Sequence, residues 1–233
     1  MNWMQRLFET YEANAGKPRI AGDTKPLLPV SHTLQQAHVE IVLDHKGNFK
    51  RANVIEPSYT IVPATENSIS RTMNDAPHAL SDKIQYIAGD YAEHGGAKKP
   101  YFKSYLHQIE AWCTKNPHPS VEAILHYVKR EHVVADLLDV GVLHAEQKRL
   151  LTAWTNDSAP AEIFRVLAKR NGVQDQGDAF VRWRVEIPGQ PLSATWEDPT
   201  LLQSWIAYDT SQSQKTVLCY ITWAAVLLAS QHP

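Results

Sequence analysis

Ala37-His38-Val39-Glu40-Ile41-Val42-Leu43-Asp44-His45-Lys46-Gly47-Asn48-Phe49 is the stretch that decides the fold. Val39, Ile41 and Leu43 alternate with His38, Glu40 and Val42, the two-residue period of a strand that buries one face. Asp44 to Asn48 then carries turn chemistry, with Gly47 free to take a positive φ. Residues 49–55 and 59–62 read as further strands. Such a meander delivers the chain through Pro63 into Thr65-Glu66-Asn67-Ser68-Ile69-Ser70-Arg71-Thr72, a polar stretch set at the end of a strand.

On the amino-terminal side, Trp3, Leu7, Phe8 and Tyr11 recur at three- and four-residue intervals, so residues 2–14 are predicted to form an amphipathic helix. Residues 17–29, rich in Pro and Gly, form a connecting loop. On the other side the period changes after Lys99-Pro100. Tyr105, Leu106, Ile109, Trp112 and Cys113 follow helical spacing until Asn116-Pro117-His118-Pro119 ends the helix. Ser120 opens a second helical stretch striped by Val121, Ile124, Leu125 and Val128. A third is predicted over 159–170, closed by Asn171-Gly172 as a C-cap. Residues 180–187 alternate as a strand, 201–208 read as helix and 216–222 as strand. The pattern is α+β rather than repeating βαβ. A strand-rich part (1–97) carries the polar stretch, and a helix-rich part (98–233) follows as a subdomain or as one continuous domain.

The 233 residues are 43% hydrophobic and 21% charged, ordinary soluble globular material. Cys113 and Cys219 lie far apart and suit a reducing cytosol as small buried hydrophobes. The apolar run 217–229 is interrupted by Thr222 and is too short to cross a bilayer. These features predict a cytosolic chain with no membrane partner. The formal net charge of −2 and pI near 6.6 argue against a chain that grips nucleic acid alone. It acts on nucleic acid only if partners supply the main electrostatic hold.

Eleven histidines invite a search for metal or nuclease chemistry. None stands in HExxH or CxxC…HxxxH spacing, and no GxSxG, GxxxxGK[ST] or GxGxxG is present. His132 and Asp136, four apart on a predicted helix, read as a surface hydrogen bond. No catalytic residue, metal ligand or cofactor is expected. In the polar stretch, Asn67, Ser68, Ser70 and Thr72 suit two uses: knitting a connection through Asx and ST turns, or reading base edges and phosphates.

Around that stretch the chain resembles the Csd family, the large subunit of the type I-C CRISPR surveillance complex. The resemblance runs through Leu28-Pro29-Val30-Ser31-His32-Thr33, the 37–49 block, Pro77-His78-Ala79-Leu80-Ser81-Asp82-Lys83 and Tyr86-Ile87-Ala88-Gly89. It continues through Tyr101-Phe102-Lys103-Ser104-Tyr105-Leu106, His118-Pro119-Ser120-Val121, Ala135-Asp136-Leu137-Leu138, Phe180-Val181-Arg182-Trp183 and Leu218-Cys219-Tyr220-Ile221-Thr222.

The resemblance implies a non-catalytic subunit that recognises the protospacer-adjacent motif of target double-stranded DNA and helps start R-loop formation. Asn67, Ser68, Ser70, Arg71 and Thr72 are then the DNA-binding residues. The implied partners are a CRISPR RNA-containing complex, its handle-binding and backbone subunits, and a helicase-nuclease recruited after target binding. Two departures stand out. Family members are several hundred residues long, so this chain is expected to be an amino-terminal portion lacking their helical region. Trp223 also stands where the family pattern favours Gly. A metal-dependent hydrolase using scattered His and Asp, and a protein-only interaction module, remain as alternatives.

Overall fold

A computed structural model of the chain describes residues 3–15, 27–71, 75–155, 159–212, 216–219 and 223–227. The first helix, α1 (Trp3–Asn14), buries none of its residues and is tied to the following segment by Tyr11, whose hydroxyl donates to the Leu28 carbonyl at 2.9 Å. The alternating run is β1 (His32–Asp44), and the second and third predicted strands are one long strand, β2 (Phe49–Pro63). They pair antiparallel from His32↔Pro63 to Leu43↔Phe49, with register shifts at Ala37/Val39 and Val42/Leu43. At the hairpin tip Gly47 has φ +74°, and a Cβ there would lie 2.2 Å from the Ala123 carbonyl oxygen, so both conformation and close approach demand glycine.

The chain continues through α2 (Glu66–Ser70), α3 (Ile84–Ile87) and a 3-10 turn at Gly89–Tyr91. Three helices follow: α4 (Phe102–Lys115), α5 (Pro119–Val128) and α6 (Val133–Asp139). Pro119 sits in the first turn of α5, where its missing N–H costs nothing, and the His118 side chain accepts from the Ser120 N–H. Helix α6 has no cap from its own N-terminal side chain. Asp90 supplies it instead, accepting from the N–H groups of Val134 (3.1 Å) and Ala135 (2.9 Å). Short strands β3 (Ala145–Glu146) and β4 (Arg149–Leu150) form a small ladder before α7 (Glu162–Val166).

Helix α7 is shorter than the predicted 159–170. The Gln174 side-chain amide donates to the carbonyls of Phe164 (2.6 Å) and Leu167 (2.8 Å), which ends the helix early. Asn171-Gly172 is therefore not a helix cap. With φ of 51° and 85°, the pair forms a two-residue turn between Arg170 and Val173, which exchange both backbone hydrogen bonds. After a second 3-10 turn at Gln176–Asp178 come β5 (Val181–Glu186) and α8 (Pro199–Gln212). The strands β6 (Thr216–Leu218) and β7 (Ala225–Leu227) pair antiparallel, and the rest of the predicted 216–222 strand lies partly outside the described residues. Between them Trp223 takes φ +55°, the left-handed region that glycine adopts most easily.

The architecture is α+β. The main sheet has the order β2-β1-β5, with β5 parallel to β1 over Val39↔Val181 to Asp44↔Glu186. Val39, Ile41 and Leu43 line up with Val181, Trp183 and Val185 on one face, all essentially inaccessible. That face joins Ile109 and Trp112 of α4, Ile124 and Val128 of α5, and Trp205 of α8 in one core. Strand β5 brings the later part of the chain into the sheet, so elements on both sides of residue 97 share this core. The opposite face is polar: Glu40 accepts from Arg182 and forms an ion pair with Arg184, and both guanidinium groups stack on the Trp196 ring. No helix among the described residues is long and apolar enough to cross a membrane.

Candidate nucleic-acid interface

Strand β2 carries the chain to Pro63, and the next residue is fixed by the Ala64 N–H donating to the Ser31 carbonyl at 3.0 Å. Thr65 is extended (φ −92°, ψ 163°), and the polar stretch after it is not an irregular loop but the single turn of α2. The turn closes as a capping box. Thr65 Oγ1 accepts from the Ser68 N–H at 3.2 Å, while Ser68 Oγ accepts from the Thr65 N–H at 3.0 Å. Serine at the third position does here what Glu or Gln does in the usual box.

The five sequence candidates divide by exposure. Asn67 and Ser70 are exposed on the outer side of α2, with Glu66 and Ile69 beside them. Ser70 Oγ donates back to the Glu66 carbonyl at 3.0 Å, whereas the Asn67 side-chain amide has no partner among the described residues. Ser68 is only 1% exposed, with Oγ 3.0 Å from both the Thr65 carbonyl and His78 Nδ1. The Arg71 side chain turns inward and is 13% exposed. Thr72 lies outside the described residues.

Arg71 meets Asp82, a buried carboxylate that local sequence reading did not assign. Two parallel hydrogen bonds of 2.7 Å join them, Nη1 to Oδ2 and Nη2 to Oδ1, and Nη1 also donates to the Ala76 carbonyl at 2.7 Å. The guanidinium lies 4.2 Å from the centroid of Tyr86, which itself stacks on Tyr101 at 4.8 Å. Asp82 further accepts from the N–H groups of His78 (2.8 Å) and Lys83 (2.7 Å). One carboxylate thus fixes Arg71 and both ends of the His78–Lys83 segment that underlies α2.

Burial works against the charge on Arg71, but the hydrogen bonds and charge of Asp82 outweigh it and raise its pKa. Burial dominates at His78, whose pKa falls to about 4; Asp82 opposes that fall, while Arg71 and Lys83 add to it. His32 is likewise pushed down to about 4 by burial. Both imidazoles are therefore neutral in the fold, and the unfolded chain binds more protons between pH 6.5 and 4. Stability is present in full above about pH 6.5 and falls as pH drops toward 4, by on the order of 3 kcal/mol for each histidine once the window is crossed. Urea unfolding across that range checks this: His78→Gln flattens the slope, and an unchanged slope would show that His78 titrates normally.

The other chemistry singled out in the sequence is not gathered. The Asp136 side chain accepts from the Tyr127 hydroxyl at 2.9 Å and His132 stands exposed at the start of α6; the pair is joined only through the backbone, the Asp136 N–H donating to the His132 carbonyl at 3.0 Å, and not by their side chains. Among the described residues no three His, Cys, Asp or Glu side chains are placed to hold a metal ion.

The polar turn, its buried counterion and the sheet behind it occur in a chain whose residues 7–233 match the family model described as CRISPR-associated protein (Cas_Csd1). The chain belongs to that family. No curated protein matches it. In this Cas_Csd1 chain the match takes in α2, the Asp82 segment and β5 together, so the whole candidate interface lies within the family's own sequence.

Proposed function

We propose that the chain is the non-catalytic large subunit of a type I-C CRISPR RNA-guided surveillance complex, and that α2 reads the protospacer-adjacent motif of target double-stranded DNA. The observation that carries this reading is the mounting of α2. A one-turn helix would not persist alone. Here the capping box and the Arg71–Asp82 pair hold it to the end of the main sheet, leaving Asn67 and Ser70 outward. An amide presents a donor and an acceptor in fixed relation, the pattern that discriminates base pairs in a groove.

In this assignment Asn67 and Ser70, with Thr72, make the DNA contacts, and Ser68 and Arg71 set their position from beneath. The net charge of −2 fits a division of labour in which handle-binding and backbone subunits hold the CRISPR RNA. Base pairing reads the target, and this subunit checks the flanking motif, helps begin the R-loop and then presents a surface to the helicase-nuclease. No cofactor enters this scheme.

Asn67→Ala in the assembled complex is expected to narrow the affinity gap between correct and altered motifs by about 1–3 kcal/mol per discriminated base pair. Competition binding with short duplexes measures it. A constant ratio with a lower absolute affinity would make Asn67 a support of the turn and remove it from readout.

A further inference from the structure

Strand β1 has β5 beside it only from Val39 onward, so the edge of its first half faces a groove. The pairing with β2 shows which backbone groups point there. Pro63, opposite His32, has no N–H, and its carbonyl accepts from the Ala79 N–H outside the ladder. His32↔Pro63 is therefore a pair without mutual hydrogen bonds. Such pairs alternate with bonded ones along an antiparallel ladder, and the register is unbroken as far as Ala37. Thr33, Gln35 and Ala37 thus bond to β2. Leu34 and Gln36 aim their N–H and C=O groups at the open edge, where no described residue meets them.

An open strand edge is a template for another strand, and folds usually guard it. Here the guard is partial. The segment after α7 stands across the groove and leaves a slot of about 460 Å³. Leu167 in that wall is extended (φ −76°, ψ 133°), and its carbonyl is held by the Gln174 side-chain amide at 2.8 Å. Lys169 and Arg170 are exposed and make no ion pair among the described residues. Asp178, the acidic group in the lining, is already shared by two ammonium groups, Lys83 at 2.9 Å and Lys98. The slot therefore carries unmet positive charge, although the chain as a whole is acidic.

Alternating N–H and C=O groups along an edge are matched in spacing by another extended backbone. We propose that this slot is a protein-docking site: it takes an extended, acidic segment of a partner protein, which adds to β1 beside Leu34 and Gln36 in the lane that β5 fills further along. Main-chain hydrogen bonds give the grip and side chains give the choice. Successive side chains of a strand point to opposite faces, so the fitting segment alternates. Its apolar residues meet Leu34 and Leu167, and its carboxylates meet Arg170 and Lys169. A second copy of the chain fits poorly, because residues 32–37 carry no acidic side chain and the two walls would meet. The site does not rest on motif reading by α2.

NMR titration of the nitrogen-15-labelled full chain with an acetylated octapeptide of alternating valine and glutamate tests the site. The Leu34 and Gln36 amides are expected to shift and to gain protection from hydrogen exchange. Gln36→Pro removes one edge N–H without touching the β2 ladder, at an exposed position where a strand tolerates proline. It is expected to weaken binding roughly tenfold. Arg170→Glu, a surface change that tests charge independently of the edge, is expected to weaken binding about three- to fivefold at low salt and little at high salt. The same peptide with lysine in place of glutamate is expected not to bind.

No binding of the glutamate peptide, unchanged affinity in both variants, shifts only outside the groove or equal binding of the lysine peptide would overturn the proposal. So would a dimer of the chain in sedimentation that Gln36→Pro dissolves, since the occupant is then a second copy. Asn67→Ala is the separating control and is expected to leave peptide affinity intact. Failure of the slot and failure of motif reading by α2 are thus told apart.

Discussion

Removing Arg71 or Asp82 alone lowers the stability of the fold by about 3–5 kcal/mol, because each leaves the other charge buried without its counterion. The loss is larger for Asp82→Ala than for Arg71→Ala. Asp82 is inaccessible to solvent and also accepts from two backbone N–H groups, at His78 and Lys83, which then have no partner. Arg71→Lys recovers only part of the loss, since an ammonium cannot make the paired hydrogen bonds of a guanidinium. Urea unfolding of the three variants gives the order directly. A change below about 0.5 kcal/mol for Arg71→Ala would mean that the side chain works at the surface after all. The same variant reports on function. With α2 loosened, binding of duplex targets is expected to fall much more than binding of pre-opened strands, and equal losses would remove the pair from motif recognition.

The second large effect is expected at Trp183, the inward residue at the middle of β5. Its ring is inaccessible and sits edge-on to Tyr127 at 5.9 Å, and its indole N–H donates to the Leu80 carbonyl at 2.9 Å. Trp183→Ala is expected to cost about 3–5 kcal/mol through the cavity it opens beneath β1. Trp183→Phe keeps much of the ring volume and costs less. The Leu80 carbonyl then still receives the Tyr105 hydroxyl at 2.8 Å, so no acceptor is orphaned. Thermal unfolding separates the two variants. Equal destabilisation by Ala and Phe would place the contribution in the hydrogen bond instead of the packing.

Features written in local periodicity were legible. The alternation of Val39, Ile41 and Leu43 gave the strand and its buried face, and Val181, Trp183 and Val185 did the same for β5. The prolines around His118 placed the break between α4 and α5. Features that depend on distant partners were not. The helix expected around His132 and Asp136 is α6, but its start is not legible because its cap comes from Asp90, 44 residues before Val134. Helix α7 was overextended because Gln174, beyond the turn, takes its final carbonyls.

In the interface, the polarity of residues 65–71 was plain, but not the division between outward Asn67 and inward Ser68. A capping box with serine in place of Glu or Gln gave little warning of the turn. Arg71 was expected among the DNA-binding residues, and its inward pairing was not legible because its counterion lies eleven residues further on, in a segment quoted for its family resemblance and not for its charge.

The mixed pairing of β1 also governs how the chain assembles. Its antiparallel partner β2 follows after a turn of a few residues, whereas Glu40 and Arg182, which meet across the parallel side, are 142 positions apart. Closing so long a loop before any contact rewards it is slow. During synthesis the hairpin leaves the ribosome early and waits with one edge of its inner strand bare until β5 emerges. Meanwhile that edge is a template for any other strand in reach. The Arg182–Glu40–Arg184 cluster on the sheet's polar face lends a charge-matched preference to the correct late arrival, at the step where mispairing is easiest.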